Sequence, residues 1–512
     1  MSKWFSRNLT WDLIMVSLLL VFSVYFGYLH IIGLEPQSVH TWRQADSVSF
    51  TWNFYKNTWN PFAPEINNLL YKGDGKVAVE FPGLYWLGGM LSRLFGYNVR
   101  IPRLINILVV MMGLFAFYRL TWATLRDRFW AIMAPLFLFT SPLLVFYTNN
   151  FLPDAPALGM NLIGWALFFG AIQRGSFRWF MAAVAVQCFA ALLKASAGIS
   201  LVAMGAIWFM ETAAWVQWRE KPFFGGKWYT YFGVFSIGAA LTAGWYVYAA
   251  WYSTGLQAEH WSPLIQYSYK LSQNDWTYTI ATLFTERFQG YFWPLTHLAL
   301  WIVYAKSLSQ GSKLSREGFA VLSLVSLGTL FYLSIFAGLL RVHDYYLIPT
   351  LMVSAVTIWY AGKWMTGAYP GVNKNLWFRL LLVAFLLGNA YHAKMQMQNR
   401  YYGRGLHYRA TEALYDKNLQ KYMQEIGLTE NKTVLSLPDP SPNITLYLLR
   451  RRGATSYGIA NAGPASYANL ILGRSHDYLV ITDPALLSDP TVAPTLPEKV
   501  GTYGDVHFFK LR

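Results

Sequence analysis

The sequence predicts an α-helical polytopic membrane protein of about eleven transmembrane helices, with interfacial helices in the first outer loop and a small C-terminal α/β domain on the extracytoplasmic side. Three observations lead there. Of 512 residues, 55% are hydrophobic and only 13% charged, against roughly 25% charged in an average soluble domain. Apolar runs of near-spanning length recur as far as residue 392, and beyond it the chain turns to short strand-like runs separated by turn residues.

The remaining composition fits that class. The 23 Trp, 34 Tyr and 35 Phe suit a chain whose rings gather at headgroup level. The net charge of +16 comes from basic residues scattered through short loops rather than from a block. That distribution points to membrane topology and anionic headgroups, not to nucleic acid. Cys188 is the sole cysteine and lies in an apolar run, which excludes an intrachain disulfide and a cysteine metal cluster and reads as a packed thiol.

The chain opens with Lys3 and Arg7 ahead of an apolar stretch, 13–32, of full spanning length with no small-residue cleavage site, so it reads as a retained first helix. Further apolar stretches cover 101–123, 129–147, 156–173, 179–195, 197–215, 229–252, 290–306, 318–340, 345–362 and 377–392. The segment 83–95 is apolar but short, and charge bias decides its place. If it lies in the outer interface, one side of the membrane carries Lys3 and Arg7, Arg126 and Arg128, Arg174 and Arg178, Arg219, Lys221 and Lys227, Lys306, Lys313 and Arg316, and Lys363, Lys374 and Arg379. The other side, beyond the first loop, keeps Lys194, Lys270, Arg287 and Arg341 before the tail. That is the positive-inside pattern, and it puts Asp46, Asp154 and His343 on one face.

Residues 1–392 are therefore expected to form the membrane domain, with 33–100 as its first outer loop, and 393–512 a soluble extracytoplasmic α/β domain. In the tail, ATEALYDKNLQKYMQEIG reads as an amphipathic helix, TVLSLPD, DYLVITD and VHFFKL as strands, and NITLYLLRRRG and PASYANLILGR as helices. Asp439 and Asp483 end apparent strands before proline and read as turn residues.

Three polar clusters carry candidate chemistry. The first is the loop HTWRQADSVSFTW to KVAVEFPGLYW. A carboxylate at Asp46 can accept a proton from an acceptor hydroxyl or amine, and the neighbouring Arg43 guanidinium would help keep it ionised. A helix cap or an ordering Arg–Asp pair is the alternative. Trp42, Arg43 and Glu80 are candidate substrate contacts, and Lys72 and Lys76 are candidate phosphate ligands that otherwise read as solvated side chains. The second cluster is Asp154 in LPDAP, which either caps the following helix or faces Asp46 as a substrate acceptor or half of a divalent-ion site; Lys194, interrupting ALLKASAG, either binds phosphate or snorkels to the interface. The third is RVHDYYLIP. Arg341 and His343 could bind phosphate, and Tyr345 and Tyr346 could stack on a sugar, although an interfacial aromatic belt also explains the tyrosines. Adjacent His343 and Asp344 have no metal-ligand spacing of their own.

Together these motifs, over roughly residues 1–365, resemble the C-type (GT-C) glycosyltransferase superfamily, near the group that includes protein O-mannosyltransferases and the aminoarabinose transferase of lipid A, family 39 among sugar transferases. The matching features are Asp46 in the first outer loop, the Glu80-Phe81-Pro82 stretch opening a short helix, LPDAP at Asp154, ALLKASAG and HDYYLIP. The resemblance implies an enzyme of the bacterial cytoplasmic membrane acting on its outer face. It would invert a sugar taken from a polyprenyl-phosphate donor onto a lipid, glycan or protein acceptor. Asp46 would deprotonate the acceptor and Asp154 position substrate, while Lys72, Lys76, Arg341 or His343 stabilise the departing lipid phosphate. No cofactor is required by this scheme, and a divalent metal ion is an open addition. Ser47 stands where the mannosyltransferases carry the second residue of an Asp-Glu pair, so mannose specificity is not carried over. A polytopic transporter or flippase is the non-enzymatic alternative; it would favour mid-bilayer charges and an inverted repeat, and no repeat is evident.

Overall fold

The computed structural model describes residues 9–69, 73–216, 218, 222–253, 268–313, 315–402, 411–459 and 462–512. These fall into two compact units, one from 1–32, 103–247 and 264–399, the other from 33–102, 248–263 and 400–512.

The first unit is helical. Each of the eleven apolar stretches read from the sequence contains helix. Among the described residues, six helices are long and apolar enough to cross a membrane: Arg100–Leu125, Asp154–Arg174, Ala195–Thr212, Trp228–Tyr252, Arg316–Leu339 and Leu376–Tyr402. The pair Arg128–Phe139 and Pro142–Thr148 makes a seventh if counted as one span bent by 76°. The bend has a local cause: Ser141, preceding Pro142, is pushed out of the helical region to φ −64, ψ 119, and Pro142 starts the next helix. Leu9–Tyr25 and Phe177–Leu193 are shorter apolar helices. The stretch 345–362, expected as one run, is split into a 3-10 segment Asp344–Thr350 containing Pro349 and an α-helix Leu351–Ala368. Gly113 and Gly159 bring their helices together backbone to backbone, since a Cβ on Gly113 would come within 2.5 Å of Gly159 Cα. Cys188 is buried and packs against Gly238.

The second unit joins the first loop to the tail. The region around Asp46, expected as loop, is the helix Thr41–Lys56, and Gly83–Phe95 is helical as its apolar run suggests. The tail carries a five-stranded sheet of order β2-β1-β3-β5-β4, with β1 Thr433–Leu437, β2 Arg452–Ala454, β3 Tyr478–Ile481, β4 Glu498–Tyr503 and β5 Val506–Lys510. Strand β1 runs parallel to β2 and β3, and β5 antiparallel to β3 and β4. Leu435, Leu437, Leu479, Ile481 and Phe509 of these strands pack with Tyr467 and Ile471 into one apolar cluster.

Two tail expectations are corrected. The amphipathic pattern after residue 410 yields only a 3-10 turn Glu412–Tyr415 and a helix Leu419–Glu425, interrupted where Asp416 is extended. The helix begun at NITLYLL stops at Leu449, because Arg450 takes the left-handed conformation at φ 54, and the following RGA is strand β2. Asp483 caps the 3-10 turn Pro484–Leu487 as a turn residue.

Candidate functional site

Asp46 lies on the Thr41–Lys56 helix with 1% of its surface exposed. That helix buries residues on every side, so its polar groups must find protein partners. Asp46 Oδ1 accepts a hydrogen bond from Asn443 Nδ2 at 2.8 Å. One turn earlier, Arg43 forms an ion pair with Glu80. Glu80 also accepts from the Tyr85 hydroxyl at 2.7 Å, and that hydroxyl is 3.2 Å from Ser47 Oγ. Burial, and then the neighbouring Glu80 charge, push the Tyr85 hydroxyl well above its ordinary pKa, so it remains a neutral donor. Tyr85 stacks on Phe50 with ring centroids 5.5 Å apart. Trp42 is 36% exposed and meets Tyr457 edge to face. Lys76 is solvent-facing, with Asp74 at 3.7 Å; Lys72 lies outside the described residues.

The other candidate residues belong to the helical unit. Asp154 is the first residue of the Asp154–Arg174 helix, whose N-cap is Pro153, and among the described residues its carboxylate accepts no backbone hydrogen bond, so the capping reading is corrected. Its Oδ1 is 2.9 Å from Lys194 Nζ. Lys194 sits in an extended break between Phe177–Leu193 and Ala195–Ala197. There its ammonium lies 5.2 Å from the Tyr345 ring and 5.1 Å from that of Tyr346. Lys194 therefore turns inward instead of snorkelling. The His343 ring is 5.2 Å from Tyr345, and Tyr147 donates to Asp344. Arg341 is directed elsewhere, forming an ion pair with Asp275. Asp154, Lys194, His343 and Tyr345 are thus one cluster, while Trp42, Arg43, Asp46 and Glu80 are grouped in the other unit.

Among the described residues, no three His, Cys, Asp or Glu side chains are arranged to hold a metal ion. The residues that sequence reasoning missed are Asn443, Ser47 and Tyr85, with Ser49 and Asn67 behind them. A faint trace was available: on a helix, Asp46, Ser49 and Asn53 stand at i, i+3 and i+7, a polar stripe among Phe50, Trp52 and Phe54.

No family model and no curated protein sequence matches the chain. Solved structures do. ArnT from Cupriavidus metallidurans, solved bound to undecaprenyl phosphate, matches at a TM-score of 0.61 with 14% identity, covering 99% of both chains. The mycobacterial arabinofuranosyltransferase AftD matches at 0.51 with 12% identity over 99% of this chain, which spans 42% of that one. The Archaeoglobus fulgidus oligosaccharyltransferase, tethered with an acceptor peptide, matches at 0.50 with 14% identity over 98% of this chain and 74% of its own. End to end, then, the chain shares the fold of ArnT.

Proposed function

We propose that the chain is an integral-membrane glycosyltransferase that takes a sugar from a polyprenyl-phosphate donor and transfers it, with inversion, to an extracytoplasmic lipid, glycan or protein. The observation that carries this reading is a buried carboxylate, Asp46, held by a directed hydrogen bond, in a chain that follows ArnT over its whole length. In the step proposed, the acceptor oxygen or nitrogen attacks the anomeric carbon and its proton passes to Asp46. The bond from that carbon to the phosphate oxygen breaks, and the lipid phosphate leaves with the electron pair. A single displacement of this kind inverts the centre without a covalent intermediate.

In this reading Lys194 and His343, beside Tyr345, meet the growing phosphate charge, and Asp154 sets the direction of the Lys194 ammonium. Residues 1–392 form a membrane domain of about eleven crossings by the charge bias of its loops, and 393–512 an extracytoplasmic domain on a bacterial cytoplasmic membrane. The same charge bias assigns Asp46, Asp154 and His343 to the outer side. The transporter alternative lacks support from any repeat in the sequence.

Mass spectrometry of cell-envelope glycans and lipids, with and without the protein, tests the reading. A sugar modification that disappears with the protein supports it and identifies the acceptor. An unchanged envelope beside an altered distribution of a lipid-linked sugar between leaflets would favour transport instead.

A further inference from the structure

Asn443 opens the Ile444–Leu449 helix, where an asparagine side chain ordinarily turns back to accept from its own helix. Here it makes no such bond. The free N–H groups of Ile444 and Thr445 are taken by Ser441 Oγ and Asp439 Oδ2, each at 2.9 Å. Those two side chains release Asn443 to point away from its helix.

Both ends of the released amide are fixed. Its Oδ1 accepts the Asn68 main-chain N–H at 3.0 Å and lies 3.4 Å from Ser49 Oγ. A main-chain N–H only donates, so the carbonyl end must face Asn68 and the NH2 end must face Asp46. The surrounding framework is firm: Asn67 and Asn68 pair with β2 through Gly453 N to Asn67 O at 3.0 Å and Leu69 N to Gly453 O at 2.7 Å. Tyr447 also donates to Glu35 at 2.8 Å, beside Arg450.

The geometry points to Asn443 as a positioning residue, through which the C-terminal sheet domain holds the Asp46 carboxylate in one orientation. The tail, in other words, is a working part of the site built on the first loop, and its seating sets the direction of the base. The proposal rests on Asp46 being that base.

The test uses full-length protein in nanodiscs, with transfer read as the envelope product lost in cells lacking the protein. Asn443→Asp keeps an acceptor oxygen toward Asn68 but presents a carboxylate to Asp46. The expected result is a fall in kcat of about 100-fold with KM within about 3-fold, the pattern of an interaction used after binding. Asn443→Asp combined with Asp46→Asn should be no slower than Asp46→Asn alone. Seating of the tail is followed separately by protease protection, and Glu35→Ala supplies a variant that loosens it without touching Asp46. A wild-type kcat in Asn443→Asp, with Asp46→Asn inactive, overturns the role of Asn443 alone. A wild-type rate in Asp46→Asn overturns the reading beneath it. If Glu35→Ala loses as much turnover as Asn443→Asp at equal loss of protection, Asn443 is a structural residue and the proposal fails.

Discussion

Lys194 Nζ lies 2.9 Å from Asp154 Oδ1, with the two side chains 18% and 1% exposed. A pair this buried is worth little against an apolar replacement, yet removing one partner strands the other charge. Lys194→Ala is therefore expected to destabilise the protein by about 3–5 kcal/mol. The double change Asp154→Asn with Lys194→Gln should cost less than Lys194→Ala alone. Thermal unfolding in nanodiscs checks the order, and an Ala variant as stable as wild type would refute it.

Asp46→Asn is expected to slow transfer by orders of magnitude while leaving expression and membrane insertion intact. An asparagine fills the same volume and keeps an oxygen for the Asn443 amide, so only the proton acceptor is lost. A positioned base contributes roughly 10²–10⁴-fold, and turnover by purified protein would read a loss of that order.

The Arg43–Glu80–Tyr85 chain should respond unequally to its two halves. Tyr85→Phe removes a hydrogen bond from a buried hydroxyl and is expected to cost about 1 kcal/mol. Glu80→Gln removes the negative charge that faces the half-buried Arg43 guanidinium and should cost more, about 1.5–3 kcal/mol. Chemical denaturation of the two variants side by side gives the comparison.

Asp439 should link stability to pH. Burial pushes its carboxyl above the ordinary value, while hydrogen bonds from Ser441 and Thr445 oppose the shift. The folded protein then holds this proton to higher pH than the unfolded chain. The contribution is fully present below the unfolded value of about 3.9 and is lost as pH rises through the raised folded value. Asp439→Asn is expected to remove that share of the slope, seen as a smaller fall in melting temperature across the same window.

Gly453→Ala is expected to unseat β2. A Cβ there would overlap the Val434 carbonyl oxygen on the neighbouring strand, and overpacking of this kind costs about 1–3 kcal/mol or more. Limited proteolysis of the full chain should show earlier cleavage in the tail.

Much of this architecture could be read from one dimension because periodicity reports burial directly. The helices of the first unit follow their apolar runs, and β1, β3 and β5 follow their alternating or continuous apolar patterns. Strand β2 escaped because three residues, Arg452–Ala454, carry no period and follow a helical run. Strand β4, EKVGTY, escaped because a partly exposed edge lacks an apolar face. Asp46 stood out as an acidic residue among aromatics, but the helix carrying it has little apolar bias and read as loop. The Asn443 contact spans 397 positions, and no local pattern can encode a partner at that distance.

The touching glycines carry a last consequence. Gly159 lies five positions beyond Asp154 on the same helix, and its partner Gly113 leaves no room for even one methyl group between the two backbones. A substitution at Gly113 would wedge that helix sideways and carry the Asp154 carboxylate with it, so an uncharged contact sets the tolerance on where an ion pair can sit.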